Sequence, residues 1–131
     1  MSDELTFLTY VVLLTALLWV PYILNQISAQ GLVNAVGYQD NPAALASWAQ
    51  RLKAAHYNAA ETLVVFATLV IIVEILQISS SATAISCMVY FYARLVHALS
   101  YTFAIPWVRT ISFAVSFFAT IGIAYQVLTA F

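Results

Sequence analysis

The sequence predicts an all-α integral membrane protein, folded as a bundle of four transmembrane helices. Of its 131 residues, 64% are hydrophobic and only 7% are charged, whereas an average soluble domain has about 25% charged residues. The chain has neither an internal repeat nor a low-complexity tract, so we expect residues 1–131 to form a single domain. A spanning helix needs about 20 mostly apolar residues. Four segments meet this requirement, at about 5–26, 55–78, 83–104 and 108–131.

The first span contains Pro21 in its interior. Proline lacks a backbone N–H and clashes with the preceding helical turn, so we expect a kink near Trp19 and Tyr22. The N-terminus is acidic and lacks the positive charge that begins a signal peptide. We therefore expect this long apolar run to be retained as a span.

The first connection is the only long one, and the other two are tight turns. Asn41-Pro42 is typical of a helix N-cap followed by proline at the first helical position. A short helix is therefore expected from Pro42 into the second span. The turn at 78–82 is rich in serine. The turn at 105–107 contains Pro106, and the residue before a proline disfavours helix.

Basic residues predict the orientation of the bundle. Arg51 and Lys53 border the second span, and Arg109 borders the fourth, which places all three on one side. By the positive-inside rule that side faces the cytoplasm, and both termini lie outside the cytoplasm. Because the chain is short and lacks a retention tail, we expect a bacterial inner membrane.

Two polar stripes cross the apolar spans. Arg51, Asn58 and Glu61 share one face of the second span. On the third span, polar residues recur at spacings of four, three and four and form one stripe. That stripe consists of Tyr90, Arg94, His97 and Tyr101.

Glu61 and Arg94 are predicted to pair across these two spans. Glu61 lies roughly 9 Å inside a helix that enters at residue 55, and Arg94 lies roughly 10 Å inside an end at residue 101. Charged groups at such depth are costly, so they normally pair or serve a function. A purely structural role is the open alternative, since breaking a buried pair costs about 3–5 kcal/mol.

The start of the fourth span completes a cationic region. Arg109 and Thr110 lie at a helix N-terminus, which attracts anions. With Arg51, Lys53 and Arg94 they favour an acidic, water-soluble ligand arriving from the cytoplasm. An apolar second substrate would arrive from the lipid. That combination is typical of conjugation or reduction of lipophilic compounds by a charged cosubstrate.

Several other functions are disfavoured by the sequence. The net charge of -1 leaves no basic surface for nucleic acid. His56 and His97 are not at a recognised metal-site spacing, so we predict no metal. Cys87 is the single cysteine, and we expect an inert buried thiol. Glu74 is interpreted as interfacial or oligomer-facing, with no assigned role.

The polar stripes resemble those of a known family, the membrane-associated proteins in eicosanoid and glutathione metabolism (MAPEG). This family includes microsomal glutathione transferases and microsomal prostaglandin E synthase. Its second-helix signature is similar to Arg51-x-x-x-Ala55-His56-x-Asn58-x-x-Glu61. Its third helix is similar to Arg94-x-x-His97-x-x-x-Tyr101, followed by Pro106 and Arg109. The resemblance covers nearly the whole chain.

The resemblance implies a homotrimer with glutathione bound between adjacent subunits on the cytoplasmic side. Arginines would bind the carboxylates of glutathione, and Glu61 would bind its amine. Arg109 and the Thr110 hydroxyl would stabilise its thiolate, because nearby cations and donors lower a thiol pKa. By position, the glutathione-binding residues would be Arg51, Asn58, Glu61, Arg94, His97 and Tyr101.

The chain departs from the family pattern at several places. Ala54 and Tyr57 stand where basic residues are frequent, and Phe113 stands where a tyrosine is frequent. At the end of the first span, Asn25 and Gln26 replace basic residues. Each missing charge-assisted contact would weaken glutathione binding by about 1.5–3 kcal/mol.

Three functions are therefore compared. The first is a glutathione-dependent transferase or peroxidase acting on lipophilic electrophiles. The second is a non-catalytic protein of the same fold, whose polar core is structural or binds another small anion. The third is a small transporter with Glu61 as a proton-coupled site, and it ranks last because Glu61 is expected to pair with Arg94.

Overall fold

The computed structural model describes residues 1–131 and contains six α-helices and no strand. Four helical segments are long and apolar enough to cross a membrane, as the sequence predicted. The first of them, Asp3–Gln30, is divided into α1 and α2. The helices are α1 (Asp3–Leu17), α2 (Trp19–Gln30), α3 (Leu32–Val36), α4 (Ser47–Leu76), α5 (Ser81–Thr102) and α6 (Pro106–Leu128).

The break between α1 and α2 lies at Leu18. Its cause is Pro21, which has no N–H to donate to the carbonyl group of Leu17. The helix is therefore interrupted next to the position where the kink was expected.

The first connection differs from the prediction. A short helix is present, but it is α3, at Leu32–Val36, and residues 42–46 are not helical. The expected helix from Pro42 is therefore wrong. Side chains from α2 satisfy this segment instead, since Gln30 accepts from the Ala43 N–H at 2.9 Å and Asn25 accepts from the Ala46 N–H at 3.0 Å. Because these backbone N–H groups are already hydrogen-bonded to side chains, they do not require the hydrogen bonds that a helix would provide.

The two tight turns have the expected caps. Ser80 and Thr83 form a capping box at the start of α5. Pro106 occupies the first turn of α6, where its missing N–H costs nothing. Ala104 adopts the left-handed conformation with φ of 58°, which lets the chain reverse between α5 and α6.

The main core lies where α1, α4, α5 and α6 meet. The rings of Phe66 and Tyr90 stack at 3.7 Å, and the Tyr90 hydroxyl donates to Thr62 at 3.2 Å. Cys87 is fully buried in this cluster, in agreement with the expected buried thiol.

The two ends of the bundle carry opposite charges. At one end, Ser79 and Thr83 donate to the buried carboxylate of Glu4, at 2.7 and 2.5 Å. Ser2 donates to Glu74 at the same end, so Glu74 has a hydrogen-bonding role that the sequence did not reveal. The other end, called here the basic end, carries Arg51, Lys53 and Arg109.

Candidate functional site

Arg94 is the centre of the polar site. Its side chain is 2% exposed, between α4, α5 and α6. One terminal nitrogen donates to Asn58 Oδ1 at 2.6 Å, and the other lies 3.4 Å from Ser116 Oγ. The Nε atom has no hydrogen-bond partner. Burying a cation without an anion is costly, so this arrangement favours an anion supplied from outside the subunit.

The predicted Glu61–Arg94 ion pair is wrong for the isolated subunit. Glu61 is exposed, and Arg94 is directed towards Asn58 and Ser116. Asn58 and Glu61 are three residues apart, which separates their side chains by about 60° around the helix. In α4 that rotation turns Asn58 towards α5 and leaves Glu61 on the outer surface.

His97 and Tyr101 continue the site one and two turns along α5. His97 is 3% exposed, and its Nδ1 atom has no hydrogen-bond partner. Its ring meets the ring of Tyr101 edge to face at 5.6 Å and lies 6.1 Å from that of Phe113. Phe113 therefore packs on the histidine and offers no hydroxyl there.

Two arginines border a cleft at the basic end. The guanidinium group of Arg109 lies 4.9 Å from the centroid of the Tyr101 ring, within cation–π range. Arg51 donates from Nε to the Thr102 carbonyl at 2.9 Å. The cleft has a volume of about 180 Å³, and its third wall is the turn at 104–106. Both guanidinium groups retain terminal N–H donors for an anion.

Thr110 is on the surface of α6 rather than in this cleft. Its hydroxyl donates to the Pro106 carbonyl at 3.1 Å. In this conformation the hydroxyl proton is occupied by the helix, while the oxygen remains free to accept.

Three contacts were not anticipated from the sequence. The Tyr22 hydroxyl and His56 Nδ1 form a hydrogen bond of 2.7 Å, which joins α2 to α4. Asn25, at a position where the family often has a basic residue, is used to hold the first connection. Ser116 lies beside Arg94. Its signal in the sequence was the four-residue spacing of Ser112, Ser116 and Thr120.

No group of three or more His, Cys, Asp or Glu side chains is placed to hold a metal ion. The site is instead composed of guanidinium, imidazole, amide and hydroxyl groups. Such groups bind an organic anion by charge-assisted hydrogen bonds.

The fold and the site define an integral membrane protein with a buried polar site between its spanning helices. The profile of the MAPEG family matches residues 6–129, nearly the whole chain. The chain therefore belongs to the MAPEG family, as the spaced motifs predicted. The family includes glutathione transferases and peroxidases and also non-catalytic members. No curated protein and no solved structure matches the chain.

Proposed function

We propose that this protein is a glutathione-dependent membrane transferase or peroxidase that acts on lipophilic electrophiles. The observation that carries the proposal is Arg94, a buried cation whose neighbours in the subunit are neutral and whose Nε is unpaired. A buried positive charge of this kind is stabilised by a bound carboxylate.

Glutathione matches the distribution of charge around this site. Its two carboxylates suit the guanidinium groups of Arg51, Arg94 and Arg109, and its amine suits the carboxylate of Glu61. Asn58, His97 and Tyr101 provide neutral contacts between these charges. The basic end is then the cytoplasmic side, because it has three of the four basic residues in the chain.

The exposure of Glu61 supports a contact between subunits, which the proposed homotrimer with glutathione between subunits requires. Glu61 lies on an exposed face of a spanning helix, beside the apolar side chains of Val64 and Val65. A carboxylate facing lipid is costly, so α4 is better placed against another subunit. In that arrangement Glu61 of one subunit and the arginines of its neighbour hold the same ligand.

Catalysis would depend on stabilising the thiolate of glutathione. Arg109 is held over Tyr101, and its cation lowers the pKa of a thiol placed in the cleft. The Thr110 hydroxyl lies outside the cleft and donates to the Pro106 carbonyl, so Arg109 is the main stabiliser of the thiolate in this proposal. The thiolate sulfur then forms a C–S bond with the electrophile as the leaving group departs. With a hydroperoxide, two glutathione molecules are oxidised to one disulfide, which yields an alcohol and water.

Product analysis tests this function. Purified protein in detergent is incubated with glutathione and either a lipophilic aryl halide or a lipid hydroperoxide. Thioether or glutathione disulfide is then measured by mass spectrometry. We expect formation above the uncatalysed rate in at least one of these reactions. Product at the background rate in both, with correctly folded protein, would favour the non-catalytic alternative, in which the polar site is structural or binds another small anion.

A further inference from the structure

An apolar groove opens at the basic end, next to the cationic cleft. Its floor is Leu52 of α4 and Ala98 of α5, which are 6% and 5% exposed. Its rim is formed by Pro21 at the bend of the first span, Trp48 and Phe103. The volume is about 320 Å³, and on α5 the groove covers residues 98–102, a rise of about 6 Å.

The groove lies beside the interruption of the first span. Leu18, at the interruption, and Pro21 both line it, together with residues of α4 and α5. The groove lies near the ends of helices that are long and apolar enough to cross a membrane, so we expect it to open towards the bilayer. Trp48, 38% exposed at its rim, is typical of the membrane–water boundary.

Arg51 joins the groove to the cleft. It follows Trp48 by three residues and precedes Leu52, so it lies at the edge of the same helix face. Its bond to the Thr102 carbonyl fixes the guanidinium group beside a residue that lines the groove. The remaining N–H groups of Arg51 are directed neither to a carboxylate nor to another side chain. No acidic residue lines either the groove or the cleft.

We propose that this groove binds one acyl chain of an anionic phospholipid, whose phosphate group is held by Arg51 when no glutathione carboxylate occupies that guanidinium group. Such an amphiphile suits the groove for two reasons. The apolar lining accommodates the acyl chain, and the fixed guanidinium group of Arg51 lies beside it, near the membrane–water boundary that Trp48 indicates. The lack of acidic residues disfavours a headgroup that carries a compensating ammonium. Basic residues near a membrane surface attract anionic lipids in the same way.

Quenching of Trp48 fluorescence tests the site without glutathione, so the result does not depend on the proposed function. Trp19→Phe and Trp107→Phe leave Trp48 as the only tryptophan. This protein is placed in phosphatidylcholine vesicles that contain a small fraction of lipid with brominated acyl chains, as either phosphatidylglycerol or phosphatidylcholine. We expect about fivefold stronger apparent binding of the brominated phosphatidylglycerol, the preference that one basic residue contributes at an anionic surface.

Matched variants distinguish binding at a specific site from general electrostatic attraction of anionic lipid to the basic end. Arg51→Gln should remove the preference for phosphatidylglycerol, whereas Lys53→Gln, which removes the same charge at the same end, should keep most of it. Leu99→Phe, which narrows the groove from an exposed position, should reduce quenching by both lipids. Ile85→Phe lies on the exposed surface near the other end of α5, so it should leave the quenching by both lipids unchanged.

Three results would overturn the proposal. Equal quenching by the two brominated lipids would show no preference for the anion. Equal loss of preference in Lys53→Gln and Arg51→Gln would show attraction by surface potential alone. Displacement of brominated phosphatidylglycerol by an equal amount of free fatty acid would show that the groove takes a carboxylate amphiphile instead.

Discussion

The guanidinium group of Arg94 donates a 2.6 Å hydrogen bond to the side-chain oxygen of Asn58, and no carboxylate of the subunit replaces that neutral partner. About two turns of helix separate Arg94 from the end of α5 at Thr102, and the side chain is 2% exposed, so the cation is buried within the bundle. The Arg94–Asn58 pair therefore orients a charge that is not neutralised within the chain.

Asn58→Ala should destabilise the protein by about 1.5–3 kcal/mol, the typical value for a hydrogen bond to a charged group. The reason is that Arg94 would lose its closest acceptor while remaining buried. The free energy of unfolding is measured in mixed detergent for the wild type, Asn58→Ala, Arg94→Ala and the double variant. Additive effects of the two substitutions would contradict a direct coupling between these side chains.

Arg109→Ala should lower turnover more than it weakens glutathione binding. Arg109 lies over Tyr101 in the cleft, where its charge stabilises a thiolate more than a thiol. Loss of one such stabilising donor lowers kcat by roughly 10²-fold or more. Thr110→Val should have a smaller effect, because that hydroxyl donates to the Pro106 carbonyl. Unchanged kcat in Arg109→Ala would exclude Arg109 from thiolate stabilisation.

Glu61→Gln should weaken glutathione binding by about tenfold or more, because a charge-assisted contact to the amine is lost. A glutathione analogue without the amine should bind the wild-type protein and this variant equally weakly. Calorimetric titration of both ligands into both proteins completes the comparison. If the variant loses affinity for the two ligands alike, Glu61 does not contact the amine.

The transporter alternative must be tested at the same residue. It ranked last because Glu61 was expected to pair with Arg94, and the structure removes that reason. Proton-coupled uptake into vesicles, present in the wild-type protein and lost in Glu61→Gln, would support transport over the proposed enzyme.

Glu4→Ala should destabilise the bundle by about 1.5–3 kcal/mol without affecting glutathione binding. The buried Glu4 carboxylate ties α1 to the turn before α5 through Ser79 and Thr83, at the end away from the cationic cleft. Asp3→Asn is the matched control, since Asp3 is exposed in the same helical turn. Equal stability of the two variants would show that the buried contacts of Glu4 contribute nothing.

The spans, the turns and the family were predictable from the sequence, because apolar length, proline and the spaced motifs each depend on local chemistry. The Glu61–Arg94 pair was mispredicted since spacing places Asn58 and Glu61 in one stripe but does not say which of them faces α5. Helix rotation is set by packing. The prediction of a helix at Pro42 was wrong for a similar reason. Asn25 and Gln30, whose side chains accept hydrogen bonds from this segment, are distant from it in sequence.

The most direct test of the central claim is calorimetric titration of glutathione into the purified protein, with Arg94→Ala and Arg109→Ala measured alongside. The account predicts saturable binding to the wild-type protein and its loss in Arg94→Ala, while Arg109→Ala retains more affinity. Absence of binding at millimolar glutathione, or equal binding by wild type and Arg94→Ala, would contradict a glutathione site built around Arg94.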